Sequence, residues 1–544
     1  MFKMRSYLLP FILAATLAAG IYIGGNLNYN DAGEKLFSTN SKKDKLHRLI
    51  DYIEYDYVDD VNTDSIVDVA VNNILEKLDP HSVYIPKQQA ERVAENMKGD
   101  FVGVGISFRM YRDSLVVIRP ILGGPSGEAG VRSGDRILVA NKDTLYDRGL
   151  SSNEIVDILK GDKNTLVDMT IYRPIEEKTI QLTIERSEVP LRSVDATFMI
   201  EDSIGYIRVN RFAESTFDEF KSSLLRLKEE GAKKLVLDLR NNPGGYLGIA
   251  EKIADEFLED GKLILFTKNK SGAINKAYAT EQGVFEEQDI YVLINEKSAS
   301  ASEIIAGAIQ DNDRGIIVGR RSFGKGLVQR EMSLGDGSAV RLTVSRYYTP
   351  TGRSIQRSYE NGTKDYYNQF YQRFENGELR SADSIKVEDS LIYKTPKGKI
   401  VYGGGGIIPD VFVPIGSSRV DSWVNTLMDS GFMSFYVFEY LDSHRDLYTD
   451  LGSDEFQRTV FVDDQMVDDF FYYADDKGVK IDLNPYREEL KLHIKAILAE
   501  QLFDENVKQQ ILSQDDPMLE AVLHLIEKQI APEEVADHSK ADDQ

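Results

Sequence analysis

The alternation of strand-like and helix-like runs between residues 203 and 311 most restricts the fold. "SIGYIRVN", "KLVLDLR" and "IYVLIN" are short runs dense in apolar residues. With them alternate "FDEFKSSLLRLKEEG", "LGIAEKIADEFL" and "ASEIIAGAIQD", which carry apolar residues at helical spacing. Buried strands that alternate with helices require a sheet covered by helices, so an α/β core is expected from Val189 to about Ile415. A chain of 544 residues is too long for that core alone and must hold further domains.

The flanks differ in pattern. Between Asp100 and Ser187, "FVGVGISF", "LVVIRPI", "DRILVANKDTL" and "LVDMTIYR" are β-type runs, with "SSNEIVDILKG" as a helix among them. Ahead of this β-rich module, apolar residues recur at helical spacing from Leu46 to Leu78. Two helices are expected there, broken near "DDVNTDS" with Thr63 or Asp64 as cap, then a short helix from Gln88 to Met97. Asn28 to Lys45 is polar and reads as a linker. After "GGGGIIPDVFVP" comes an acidic, helix-rich region ending in a polar tail. The expected organisation is an N-terminal address at 1–27, a linker and helical region at 28–99, the β-rich module at 100–187, the α/β core at 188–416 and a helical extension at 417–544.

Composition excludes several functions. A net charge of −24 is wrong for a nucleic-acid-binding surface. The absence of cysteine removes disulfides, thiolate metal sites and a thiol nucleophile together. At the N-terminus, Lys3 and Arg5 precede an uncharged run from Ser6 to Gly25, which fits an export signal, either cleaved before Ile21 or retained as a membrane anchor. The anchor is preferred because apolar character continues through Ile23. The bulk of the chain is then expected outside the cytoplasmic membrane, in the cell envelope.

"KSASASEIIAGAIQ" holds Ser298, Ser300 and Ser302 at alternate positions where a strand gives way to a helix. Free backbone N–H groups at a helix start can stabilise an oxyanion, and Ala301 offers one. Gly244 and Gly245 of "LRNNPGGYLG" could bring a second close to a substrate carbonyl. Against this, "SASE" from Ser300 to Glu303 fits a capping box, so the pattern alone favours a helix cap over a nucleophile. None of the six histidines falls inside the α/β segment, which weakens a Ser-His-Asp arrangement. Lys325 in the glycine-flanked "RSFGKGLVQ" is the other base; a solvated lysine would be a poor one, a desolvated lysine a good one. Ser322 and Lys325 also spell S-x-x-K, but the companion S-D-N and K-T-G elements are missing.

In order along the chain, "LDPHSVYI", "GDFVGVGISF", "PSGEAGVRSGDRILVANKDTL", "LDLRNNPGG", "SASASEIIAGAIQD", "SFGKGLVQ", "YYTPTGRSIQ" and "GGGGIIPDVFV" resemble the motifs of carboxy-terminal processing peptidases, or tail-specific proteases. The resemblance covers roughly Leu46 to Ile415. It implies a multidomain α/β protein with a crotonase/ClpP-like serine protease core, an inserted β-rich PDZ domain, and helical N- and C-terminal regions. It implies Ser300 as nucleophile, Lys325 as base 25 residues later, and Gln329 orienting the lysine. Ala301 and either Gly244 or Gly245 would line the oxyanion hole, and Glu303 would brace the turn. In the PDZ domain, Phe101, Val102, Gly103, Val104, Gly105 and Ile106 would take the substrate's terminal carboxylate. Lys160 stands where relatives often carry an arginine implicated in coupling that domain to the protease. The implied function is endoproteolysis of exported proteins near their C-terminus, without metal or organic cofactor. Implied partners are protein tails, with an envelope adaptor or activator and a second copy of the chain as further candidates and no nucleic acid. The competing reading is a PDZ scaffold or chaperone that binds tails without cutting them.

Overall fold

The structure is a computed structural model and describes residues 14–20, 42–416, 427, 430–480 and 482–529. Apart from the helical residues 14–20, the N-terminal address lies outside the described residues, as does the polar tail beyond residue 529. Among the described residues no helix is long and apolar enough to cross a membrane. Contacts divide the chain into two units, residues 1–75 and 76–544.

The first unit contains helices Lys42–Tyr55 and Thr63–Leu75. The expected linker is therefore shorter than its polar composition indicated, since its last four residues are helical. The cap of the second helix is also one residue earlier than expected. Asn62 accepts from Ser65 N–H through Oδ1 at 3.0 Å, a bond that Thr63 and Asp64 are too far into the helix to make.

In the second unit, six strands form the central sheet in the order Val194–Glu201, Ile204–Val209, Lys234–Asp238, Asp289–Ile294, Ile316–Gly319 and Val411–Phe412. The first pair is antiparallel and the remaining neighbours are parallel. Parallel strands buried on both faces read as near-continuous apolar runs, which is why the three central ones are plain in the sequence. Helices Thr216–Glu229, Leu247–Asp255 and Ala301–Asp311 cover one face, with Phe220, Leu224, Ile253, Phe257 and Ile305 buried in a shared core. The other face packs Tyr206, Val236 and Leu293 against Met518, Leu519, Val522 and Leu525 of helix Pro517–Glu527. That last helix completes the core, although its acidic surroundings placed it in a separate extension.

A second sheet, largely antiparallel, runs Val83–Ile85, Ala339–Tyr348, Leu263–Asn269 and Ile274–Tyr278, with Leu327–Ser333 also pairing with Ala339–Tyr348. The "LDPHSVYI" segment thus supplies the edge strand of this second sheet. The β-rich module is a six-stranded sheet with helix Ser152–Leu159, whose Ser151 and Glu154 form a capping box. Strand Asp100–Gly103 pairs with Ser187–Pro190 and closes the module's neck. Helices between Phe432 and Leu512 bury a core of their own, including Phe456, Phe470, Leu490 and Ile494.

Candidate active site

Three adjacent parallel strands bring the site together. Asp238 pairs with Leu293, and Ile294 with Gly319, so the loops leaving the three strands emerge side by side. The first is the glycine loop 239–245, the second the serine loop 295–300, the third the lysine loop 320–326. Sites at the carboxyl ends of parallel strands follow from this geometry in open α/β sheets.

The alternate serines divide the work. Ser298 Oγ donates to Leu239 O at 2.8 Å, and Ser302 Oγ to Asn242 O at 3.0 Å. Both serines are fully buried and tie the serine loop to the glycine loop. Ser300 lies between them at φ 56° and ψ −110°, a strained conformation for a residue with a Cβ. Its N–H donates to Glu303 Oε2 at 2.8 Å, and its carbonyl accepts from Tyr347 OH at 3.2 Å. Held this way, Ser300 lines a cleft of about 1250 Å³ together with Lys325, Gly244, Gly245, Ala301 and Gln329.

Glu303 does more than cap. Fully buried, its carboxylate accepts from Ser300 N–H and Lys325 N–H at 2.8 and 2.9 Å through Oε2. Through Oε1 it accepts from Ser322 Oγ and Gly324 N–H, both at 2.6 Å. One side chain therefore fixes the serine loop to the lysine loop. Burial pushes its carboxyl pKa up, opposed by these hydrogen bonds.

Lys325 Nζ donates to Gln329 Oε1 at 2.8 Å, so the amine rests on Gln329 rather than on Ser300 Oγ. Burial, reinforced by the nearby Arg341 charge, brings its pKa down to about 8. Gln329 in turn donates to the His81 carbonyl. His81 lies outside the α/β segment in the sequence; in the structure it is part of the wall behind Lys325. Its ring bonds Tyr366 OH at 3.0 Å, and burial, with help from Lys325, drops its pKa to about 3. It is neutral and structural. Asp79 holds this turn by accepting from His81 N–H, Ser82 N–H and Ser82 Oγ.

The two glycines are not equivalent. Gly244 N–H donates to Asn242 Oδ1 at 2.8 Å and is already engaged. Among the described residues no acceptor engages Gly245 N–H or Ala301 N–H. A side chain at Gly245 would fall 2.2 Å from Phe212 O, and one at Gly244 would fall 2.8 Å from Ser300 Cβ. Gly244 thus lets the loop approach the serine, and Gly245 is left with a donor to offer.

In the β-rich module, Phe101, Gly103, Val104, Gly105 and Ile106 line a groove of about 300 Å³ with Phe108, Val156 and Leu159. Val102 does not; it faces the large cleft. Val104 O accepts from Ser126 N–H at 3.1 Å and Gly105 O from Ile121 N–H at 2.9 Å, while no described acceptor engages the N–H groups of Val104 and Gly105. Lys160 ion-pairs with Glu95 and, with Phe101, lines both the groove and the cleft.

Residues 203–365 match Peptidase family S41 and residues 102–185 match the PDZ domain. Residues 423–504 match a family described only as of unknown function. A probable CtpA-like serine protease of Staphylococcus aureus is 35% identical over 315 residues, 57% of this chain and 62% of that protein. The matched stretch thus spans less than two thirds of that relative's length. A carboxy-terminal-processing protease of Bartonella bacilliformis is 36% identical over 57% of this chain and 71% of its own. The solved photosystem II D1 C-terminal processing protease is 29% identical, covering 58% of this chain and 84% of that one with a TM-score of 0.34. With a relative 36% identical over 71% of its own length, and with the peptidase and PDZ models both matched, the chain belongs to the PDZ-containing carboxy-terminal-processing proteases of Peptidase family S41.

Proposed function

We infer that the protein is a serine endopeptidase that cuts polypeptides near their C-terminus, with Ser300 as nucleophile and Lys325 as general base. The observation that carries this reading is a half-buried serine at positive φ sharing one cleft with a lysine of pKa about 8 and two unengaged N–H groups. Neutral Lys325 turns from Gln329 to take the Ser300 hydroxyl proton as Oγ bonds the scissile carbonyl carbon. The carbonyl oxygen becomes an oxyanion between the Ala301 and Gly245 N–H groups. When the tetrahedral adduct collapses, the C–N bond breaks and Lys325 returns its proton to the leaving amine. A water, deprotonated by Lys325, then attacks the acyl group, and the second adduct expels Ser300 Oγ, which recovers that proton.

Gln329 is a positioning residue, holding Nζ between turnovers. The unengaged N–H groups of Val104 and Gly105 are suited to a chain-terminal carboxylate, with Ile106, Phe108, Val156 and Leu159 forming an apolar seat for the last side chain. The substrate class is therefore an unfolded tail ending in an apolar residue.

A fluorophosphonate probe should label the protein and not Ser300→Ala. Ser300→Ala and Lys325→Ala should each lower peptide hydrolysis by about a thousandfold or more, with circular dichroism unchanged. Hydrolysis that survives in Lys325→Ala would refute the dyad.

A further inference from the structure

The helices between Phe432 and Leu512 grip one face of the PDZ sheet. Along strand Ile106–Tyr111, Ile106, Phe108 and Met110 belong to the domain's own core, so Arg109 and Tyr111 face the other way. The Arg109 guanidinium stacks 3.5 Å from the Phe435 ring centroid and donates to Ser434 O at 3.2 Å. Arg119 donates to Glu500 O and, at 3.2 Å, to Phe503 O, placing a cation on the carbonyl end of helix Arg487–Leu502. Arg136 Nη2 reaches both oxygens of Asp442 at 2.7 and 2.6 Å, with the two side chains only 18% and 15% exposed. Tyr111 meets Phe438 edge to face at 5.5 Å.

The same region is anchored to the protease core. Arg240 pairs with Asp516 at 2.7 Å, Thr197 N–H donates to Asn506 Oδ1 at 2.8 Å, and helix Pro517–Glu527 is part of the central-sheet core. Among the described residues none beyond 430 lines the tail groove. The PDZ domain is thus held by its back while its groove stays open, and the groove meets the cleft through Lys160 and Phe101.

We propose that residues 430–529 are a clamp that fixes the tail groove at one distance from Ser300, so that cleavage occurs at a set number of residues from the substrate's end. This rests on the peptidase reading for its cutting step and on the contacts above for its geometry. A PDZ domain free to swing would present the same tail to Ser300 in many registers, whereas a clamped one presents few.

The chain has no cysteine, so Lys142→Cys in the PDZ domain and Lys270→Cys in the core, both exposed, take spin labels without background. In full-length Ser300→Ala protein, one narrow interlabel distance distribution is expected. Arg136→Asp should widen it at least twofold, as should Phe435→Ala, which keeps every charge. Adding Asp442→Arg to Arg136→Asp should narrow it again. An unchanged width in both single variants overturns the clamp. Peptides with one apolar tail and benzoylphenylalanine at successive positions then report register by cross-linking to Tyr246–Gly248 in the cleft. Cross-links should peak at one or two positions in the clamped protein and spread over at least four in Arg136→Asp. A flat profile in the clamped protein overturns the measuring role. Neither readout needs turnover, so an absence of hydrolysis would count against the peptidase reading alone.

Discussion

At Lys325 two effects compete: burial and Arg341 push its proton off, while Glu303 and Asp79 hold it on. Burial prevails and leaves a pKa of about 8, so about one tenth of the amine is neutral at pH 7 and most of it at pH 9. With neutral Lys325 as the proposed base, kcat/KM should rise with pH and level off above about 8. Arg341 lines the same cleft, paired with Glu331 at 3.1 Å. Arg341→Gln removes a repelling cation and leaves the Glu331 charge unopposed, and both changes favour protonated Lys325. The rising limb should move upward by about half a unit; a limb that stays in place or moves down would show that Arg341 does not set the amine's acidity. The proposed nucleophile and base stand out in the sequence because each lies in a short motif. The support of Gln329 was not, because the His81 carbonyl is 248 residues away and belongs to the backbone, which carries no residue-type signal.

Between elements, Glu303 decides whether the serine and lysine loops meet. The S-x-x-E pattern reads as a local cap, which is typically worth about 1 kcal/mol. The structure instead gives the carboxylate four donors from two loops. Glu303→Gln leaves one oxygen in place and turns an NH₂ toward donors that need an acceptor. It should cost about 2–4 kcal/mol in urea unfolding and at least tenfold in kcat; a loss of 1 kcal/mol or less would reduce Glu303 to an ordinary cap. The same contrast separates the strands that could be read in the sequence from those that could not. Lys234–Asp238 and Asp289–Ile294 are buried on both faces and nearly all apolar in their interiors. Leu263–Asn269 and Ala339–Tyr348 alternate or mix burial, with Thr267, Lys268, Arg341, Thr343 and Arg346 interrupting the pattern. Each has a hairpin partner close by in the chain, but the pairing of the two with each other, and of Val83–Ile85 with Ala339–Tyr348, joins distant parts of the chain and has no local signature.

Across the whole molecule, the central sheet depends on both of its faces being covered, and the second cover is supplied by the last described helix. Val522 is fully buried in it against the face that holds Tyr206, Val236 and Leu293, while Asp516 caps its start and pairs with Arg240. Asp238 joins the same cluster, accepting from Tyr206 OH at 2.6 Å and from Arg240, so charge and apolar packing meet at one seam. If the helix were a dispensable extension, a charge at Val522 would be accommodated by undocking it at little cost. If it completes the core, the same charge must be buried or the sheet face exposed. Val522→Asp should then lower stability by about 3 kcal/mol or more and slow peptide hydrolysis through loss of folded protein. Tyr472→Asp, at a residue 76% exposed on helix Asp464–Asp476, should change stability by less than about 0.5 kcal/mol. Equal unfolding midpoints for the two variants would mean that the protease core stands without its C-terminal helix.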